Sequence, residues 1–191
     1  WKKIESEKAE DYEWLADTLL SAGMCISAFV IDGRRGVLQR LLVRFPDIPV
    51  QLCQFHQIAI VKRYLTSRPK LQAGKELRLL TLTLTKTDRA FFGASLEAWH
   101  EKWNDFLGEK IFDPINKKWH YVHRRLRSAH RSLRTNLPWL FICLDYPGLN
   151  IPNTTNTCDG WFAHFKNRLG KHRGTRKIRR NRMADYLLEK S

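Results

Sequence analysis

The chain has 191 residues, which is enough for one domain or for one core with a sizeable insertion, and argues against two independent domains. It carries 34 Lys and Arg against 19 Asp and Glu, a formal net charge of +15, and its 12% aromatic content excludes a disordered basic tail. No apolar run approaches the roughly 20 residues of a membrane span. This charge is typical of folded proteins that bind a polyanion such as nucleic acid, and a merely basic soluble protein is the alternative.

The cysteine content bears on the cellular location. The four cysteines are widely scattered and none forms a Cys-x-x-Cys pair, which is typical of a reducing compartment. No charged-then-apolar signal pattern opens the chain. We therefore expect a cytoplasmic, nucleoid-associated protein with no membrane partner.

The first residues predict a helix followed by a strand. Tyr12, Leu15 and Leu19 recur at helical spacing, and Gly23 follows where a left-handed C-cap is expected. The run "CISAFVID" at 25–32 is nearly all apolar and rich in β-branched residues. It predicts a buried parallel strand.

The alternation of helix and strand continues to residue 68. "VLQRLLVRF" (37–45) predicts a helix ended by Pro46, "IPVQLCQFH" (48–56) a second strand, and "QIAIVKRYL" (57–65) a helix that ends before Pro69. Such tight alternation is typical of an α/β unit with parallel neighbouring strands. The inner face of the second helix is expected to contain Val37, Leu38, Leu41, Leu42 and Phe45.

Residues 69–137 read as an all-helical insertion. Within "ELRLLTLTLT" (76–85) the Thr-Leu alternation fits a strand and the leucine spacing fits a helix, and the helical surroundings favour the helix. Two longer segments, 89–107 and 117–134, are each expected to be amphipathic helices. Their apolar stripes are Phe92, Leu96, Trp99, Trp103 and Phe106 in the first, and Trp119, Val122, Leu126 and Leu133 in the second.

The last part of the chain is expected to be a loop and then a helix. Pro138, Pro147 and Pro152 break the chain before "TTNTCDGWFAHFKNRLGKHRG" (154–174). "TTN" supplies N-cap residues, so Asp159 falls in the first helical turn, where a carboxylate suits the helix dipole. The predicted buried stripe of this helix is Phe162, Phe165 and Leu169.

Asp32 lies at the carboxyl end of the first predicted strand. Open α/β sheets bind their ligands at this edge. Asp-Gly is also a common turn dipeptide, and on this motif alone the turn interpretation is favoured. The bases Arg34 and Arg35 follow directly and would attract phosphate.

Cys53 and His56 form a Cys-x-x-His motif at the end of the second predicted strand. Zinc usually needs four ligands, and the second pair would be His120 and His123. Surface histidines on a basic helix explain that pair as well, and in an extended strand Cys53 and His56 would face opposite sides. Zinc is therefore the less favoured interpretation.

These features occur in a characteristic order. An Asp ends a strand, a Cys-x-x-His closes the next, a helical insertion follows, and "TTN" with an acidic residue and Gly precedes a helix that ends in "HRG". Together with "FP" and "QLCQFH", this order resembles the mutator-type transposases, members of the DDE group with an RNase H-like core. The similarity covers essentially the whole chain, and the order is more specific than any single motif.

The resemblance implies a function. The family cuts and rejoins DNA at transposon ends with two divalent ions, Mg²⁺ or Mn²⁺, held by three carboxylates. Asp32 matches the second carboxylate and Asp159 the third, so their side chains are expected to come within metal-bridging reach. Cys53 and His56 match the family motif, with a structural or DNA-proximal role.

This sequence departs from the family pattern at two of the three acids. The third acid is normally Glu, and Asp159 is one methylene shorter. The first acid has no counterpart in this chain. We therefore expect the C-terminal two-thirds of a catalytic domain, as part of a longer active protein or as a degenerate, inactive DNA-binding copy, and a basic nucleic-acid-binding module is the alternative.

The resemblance also implies the architecture and the partners. The expected fold is α/β and helix-rich, with a partial RNase H-like core of about two parallel strands at 1–68, the insertion at 69–137, and a loop with C-terminal helices at 138–191. DNA and a second copy of the chain are the expected partners. The predicted DNA-binding residues are Arg34, Arg35, Arg124, Arg125, Arg127, Arg131, Arg134, Lys166, Lys171, His172 and Arg173.

Overall fold

A computed structural model describes residue 4, residues 6–171 and residues 174–189. It divides the chain into two compact units, one formed by residues 9–154 and the other containing residues 155–191 together with 1–8. The described parts are rich in helix and contain two small two-stranded sheets. The predicted helix-rich α/β class is confirmed at this level.

The first five elements follow the predicted order. They are α1 (Ala9–Ser21), β1 (Phe29–Ile31), α2 (Arg35–Arg44), β2 (Val50–Leu52) and α3 (Gln54–Leu65). The two strands pair in parallel, with Ile31 opposite Leu52. Both are shorter than predicted, and the second strand does not reach His56, because the chain is already helical from Gln54.

The packing of α2 agrees with its sequence pattern, whereas that of α1 does not. Val37 and Leu41 of α2 are buried against the sheet, and Phe45 is buried just beyond its end. In α1, Ala16 is the buried residue and Leu15 is 47% exposed. Ion pairs help to hold the two helices together. These pairs are Arg40 with Glu10 and Glu13, and Arg44 with Glu13 and Asp17.

The middle of the chain combines helices with a β-hairpin. Its elements are α4 (Gln72–Leu82), α5 (Arg89–Gly108), β3 (Lys110–Asp113), β4 (Lys118–Tyr121) and α6 (Arg124–Leu140). The Thr-Leu segment is helical in α4, and Leu77 is fully buried there. Helix α6 packs on both α3 and α5. Phe92, Leu96, Leu126 and Leu133 are buried in the same core, as their spacing predicts.

The prediction of a helix from residue 117 was wrong. Residues 110–121 form an antiparallel hairpin, in which Phe112 pairs with Trp119. The Asp113 carboxylate accepts hydrogen bonds from the backbone N–H groups of Ile115 and Asn116, which favours a turn over a helix. Trp119 is consequently 66% exposed instead of lying in the core.

Pro138 does not end a helix as predicted. Helix α6 runs through it to Leu140, so the proline lies in the last turn of the helix. The following segment also contains regular structure in place of the expected loop. A short helix α7 (Ile142–Asp145) precedes a 3₁₀ turn at Pro147–Leu149.

The second unit contains α8 (Asn156–Gly170) and α9 (Lys177–Glu189). The expected apolar stripe of α8 is only partly buried. Leu169 is 9% exposed, Phe165 is half-buried, and Phe162 is 51% exposed. Trp161 stacks on Phe165 with ring centroids 5.4 Å apart, so part of the aromatic surface of α8 is covered within the helix itself.

Candidate functional site

The parallel sheet places Asp32 at its carboxyl edge. The N–H of Cys53 donates to the carbonyl of Ile31 at 2.8 Å, which extends the ladder to the last residue of β1. Asp32 follows directly and is half-buried. A Cβ on Gly33 would lie 3.2 Å from Cδ1 of Ile60, so glycine lets the chain pass close to α3 just after the acid.

The Cys-x-x-His motif is helical, which corrects the expectation of an extended strand. Cys53 is the N-cap residue of α3 and is 1% exposed, while His56 is half-buried in the first turn. The argument that these two side chains face opposite sides of a strand therefore does not apply. Cys53 still lies at the carboxyl edge of the sheet, where its N–H donates to the carbonyl of Ile31, the residue before Asp32.

The two histidines considered as a second zinc pair have other partners. His120 is in β4, with Nε2 3.7 Å from the Asp113 carboxylate. The ring of His123 stacks on Phe106 at 3.7 Å, and its Nε2 lies 3.0 Å from Oε2 of Glu109. Neither lies on a helix as expected: His120 is in a strand and His123 is the N-cap residue of α6.

The chain that leads towards α8 is attached to the same sheet edge as Asp32. The N–H of Gln54 donates to the carbonyl of Asn153 at 2.9 Å, and the Asn153 amide donates back to Oε1 of Gln54 at 3.1 Å. Asn153 stands immediately before "TTN". The loop at residue 153 is thus hydrogen-bonded to the first residue of α3.

Three buried glutamines connect this edge to α6, and sequence reasoning missed them. Gln51 donates to the carbonyl of Leu140 at 2.9 Å and accepts from the N–H of Cys143 at 2.9 Å. Gln54 donates to the same carbonyl at 2.7 Å. Gln57 accepts a hydrogen bond from Asn136 of α6 at 2.8 Å. Because buried amides need partners, this network holds the end of α6 at a defined position beside the sheet.

Asp159 lies in the first turn of α8, as the N-cap pattern indicates. The hydroxyl of Thr155 donates to Oδ2 of Asp159 at 3.1 Å. Asp32 belongs to the unit of residues 9–154 and Asp159 to the other. The expectation that the two carboxylates converge stays a prediction.

The described residues do not by themselves provide the metal site that the resemblance implies. Within residues 4, 6–171 and 174–189, no group of three or more His, Cys, Asp or Glu side chains is placed to hold an ion. A two-ion centre needs several carboxylate oxygens around each ion. The residues present therefore do not fit a complete Mg²⁺ or Mn²⁺ centre, or a Cys-His zinc site.

The predicted DNA-binding arginines of α6 are mostly exposed. Arg124, Arg125, Arg131 and Arg134 are exposed, and Arg127 is half-buried. Two of them are oriented by backbone carbonyls, Arg125 by that of Arg63 at 2.5 Å and Arg127 by that of Leu107 at 2.8 Å. The predicted DNA-binding residues outside α6 are Arg34, Arg35, Lys166, Lys171, His172 and Arg173. The first four are exposed, and His172 and Arg173 lie outside the described residues.

Comparisons with known proteins give no relative for this chain. No protein-family model, curated protein or solved structure matches it. In the part of the chain that the structure describes, each helix is too short or too polar to cross a membrane.

Proposed function

We propose that this chain is part of the catalytic region of a mutator-type DDE transposase, which cuts and rejoins DNA at transposon ends. One observation supports the proposal most strongly, namely which residues meet at the carboxyl edge of the parallel sheet. Asp32 follows β1 there, Cys53 follows β2, and the loop at Asn153 is hydrogen-bonded to the start of α3. This edge is where open α/β sheets bind ligands.

Asp32 and Asp159 are the proposed catalytic carboxylates. Each follows the local pattern that the resemblance requires, Asp32 after a parallel strand and Asp159 in the first turn of a helix. Divalent ions would supply the Lewis acid for phosphodiester chemistry. The described residues form no complete site for them, so we derive no reaction step. Asp159 is one methylene shorter than Glu, and a displacement of about 1 Å can cost roughly 100-fold in rate.

DNA binding without catalysis is the second candidate. The exposed arginines of α6 favour it. In both cases the partner is DNA, and binding should weaken steeply with added salt because phosphate contacts release counterions. As a transposase, the protein would work as a homodimer on paired DNA ends in the nucleoid.

The test is strand transfer by the full-length protein with Mg²⁺ on a labelled duplex that carries the terminal repeat of its own element. We expect Asp32→Ala and Asp159→Ala to abolish cleavage and joining while DNA binding persists. Asp47→Ala is the matched control, because Asp47 is an exposed acid that precedes β2 and so lies towards the opposite end of the strands.

The outcomes separate the two candidates. Loss of strand transfer in both acid variants, with the control active, supports the transposase. Salt-sensitive binding of the duplex with no cleavage by the unsubstituted protein supports the DNA-binding candidate. Wild-type strand transfer by Asp32→Ala would show that the assigned carboxylate is wrong.

A further inference from the structure

A basic cleft lies between α5 and α6, within the unit of residues 9–154. Its volume is about 150 Å³, against roughly 30 Å³ for one water molecule in the liquid. It therefore has room for a small oxyanion. The lining residues are His100, Leu107, Arg127, His130, Arg131 and Arg134.

A buried histidine in this cleft has a ring nitrogen that makes no hydrogen bond within the described part of the chain. His130 is 6% exposed, and its ring stacks on His100 with centroids 4.4 Å apart and planes within 2°. None of the described residues offers a hydrogen bond to Nε2 of His130. Buried polar atoms are nearly always hydrogen-bonded, so the orphaned nitrogen indicates a partner other than the described residues.

The cleft is electrostatically positive at the same position. Burial, together with the nearby charges of His100, Arg134 and Arg127, lowers the pKa of His130 to about 4, while the Glu97 carboxylate opposes them. Cations that disfavour a proton on the imidazole favour an anion beside it.

Two arginines that line the cleft differ in how they are held. Arg127 is held by the carbonyl of Leu107 at 2.8 Å and by the ring of Tyr121, 3.7 Å from its guanidinium carbon. Arg131 is exposed and has no hydrogen bond or ion pair to any residue of the described chain. A guanidinium held in place binds a phosphate with less loss of conformational entropy.

We propose that this cleft binds a phosphate group, with Arg127 and Arg131 as charged donors and His130 as the buried donor. The bound group is either a phosphate of the DNA backbone or a free phosphate. The first of these two possibilities rests on the proposed function. Sequence reasoning assigned the arginines to a general basic surface and did not find the histidine pair, which is contributed by two separate helices.

Two measurements test the cleft and distinguish the sources. Inorganic phosphate is titrated into the whole isotope-labelled protein, and the imidazole resonances of His100 and His130 are followed by NMR. Duplex DNA is titrated separately and followed by fluorescence anisotropy at several salt concentrations. The variants are Arg131→Gln and His130→Gln, and the control is Arg68→Gln, an exposed arginine after α3 that does not line the cleft.

Phosphate should shift both imidazole resonances in the unsubstituted protein and in Arg68→Gln. Arg131→Gln should weaken this binding about tenfold, as expected for the loss of one charge-assisted hydrogen bond. If the phosphate is that of DNA, Arg131→Gln also lowers the salt slope of DNA binding by about one. If inorganic phosphate shifts the imidazole resonances but Arg131→Gln does not change DNA binding, the ligand of the cleft is a free phosphate.

Equal phosphate binding by Arg131→Gln, His130→Gln and the control would overturn the proposal. Arg131 is exposed, so its variant remains informative if His130→Gln fails to fold. Strand transfer is measured separately, so a failure of the cleft is distinguishable from a failure of the proposed function.

Discussion

The two units bury their apolar residues to different extents. Within residues 9–154, a continuous core includes Leu77, Phe92 and Leu96, each 0% exposed. Among the described residues of α8 and α9, Leu169 is the only buried apolar side chain, and Ile178 is 70% exposed. Isolated helices of 13–15 residues are marginal in water, so tertiary packing decides stability. Similar helical patterns thus specify a stable core in one unit and weakly supported helices in the other.

The largest expected effect comes from removing a core side chain. Leu96→Ala should lower the free energy of unfolding by roughly 2–5 kcal/mol, because it leaves a cavity in a fully buried position. Phe162→Ala is the matched substitution on α8, where the ring is 51% exposed, and should cost under about 1 kcal/mol. Urea denaturation followed by tryptophan fluorescence measures both.

Hydrogen exchange of backbone amides tests the same difference in packing between the two units. Backbone amides in α5 and α6 should exchange only through global unfolding, whereas those of α8 and α9 should exchange through local opening. Equal protection in both units, together with equal destabilisation by the two alanine variants, would contradict the difference in packing.

Local sequence patterns predicted the elements near the sheet well. Val37, Leu38 and Leu41 are spaced for one buried helical face, and β-branched residues before Asp32 favour a strand, so both elements form as expected. The hairpin at 110–121 was missed, although Asp113-Pro114 is a recognisable turn signal. The helical interpretation gave more weight to Trp119 and Val122 as core residues, and both are exposed.

Long-range partners could not be predicted from local patterns. Gln51 and Gln57 look polar and unremarkable in the sequence, yet they are buried because carbonyl and amide groups of distant residues satisfy them. The stack of His100 on His130 likewise depends on the packing of two helices. The Asp32 position was predictable because strand ends are local, whereas its meeting with Asp159 remains a prediction.

The second-largest expected effect is a loss of folding stability at acid pH, which arises in the unit of residues 9–154. The folded-state pKa of His130 is about 4, below the ordinary 6.5, so the unfolded chain binds the proton first as the pH falls. Stability from this group is complete above about pH 6.5 and is lost progressively towards pH 4. Between pH 7 and pH 5 the expected loss is up to about 2 kcal/mol, because solvent screening reduces the effect.

Comparison with His164 tests the source of that loss. Unfolding free energies are measured at pH 7 and pH 5 for the unsubstituted protein, His130→Gln and His164→Gln. His130→Gln should flatten the pH dependence, and His164→Gln, which removes an exposed histidine of α8, is the control for the loss of an imidazole. An equally steep loss in His130→Gln would mean that other groups, such as the carboxylate of Glu76 with its lowered pKa, account for the acid sensitivity.

The smallest expected effect on stability comes from substituting the N-cap residues of two helices. The Asp88 carboxylate accepts a hydrogen bond from the N–H of Phe91 at 2.9 Å and so caps α5. Thr155 holds the same position on α8, but its side chain makes no capping bond. Asp88→Ala should therefore cost about 1 kcal/mol. Thr155→Ala should cost only a few tenths of a kcal/mol, because no helical N–H loses a partner and α8 contributes little to global unfolding.

Asp88→Asn serves as the control, since an amide oxygen can still accept the hydrogen bond from Phe91. It should keep most of the stability that Asp88→Ala loses, as measured by urea denaturation. The part that Asn does not restore reports the interaction of the Asp88 charge with the α5 dipole, which salt should weaken. A larger loss in Thr155→Ala than in Asp88→Ala would mean that α8 unfolds together with residues 9–154, and the contrast between the two units would fail.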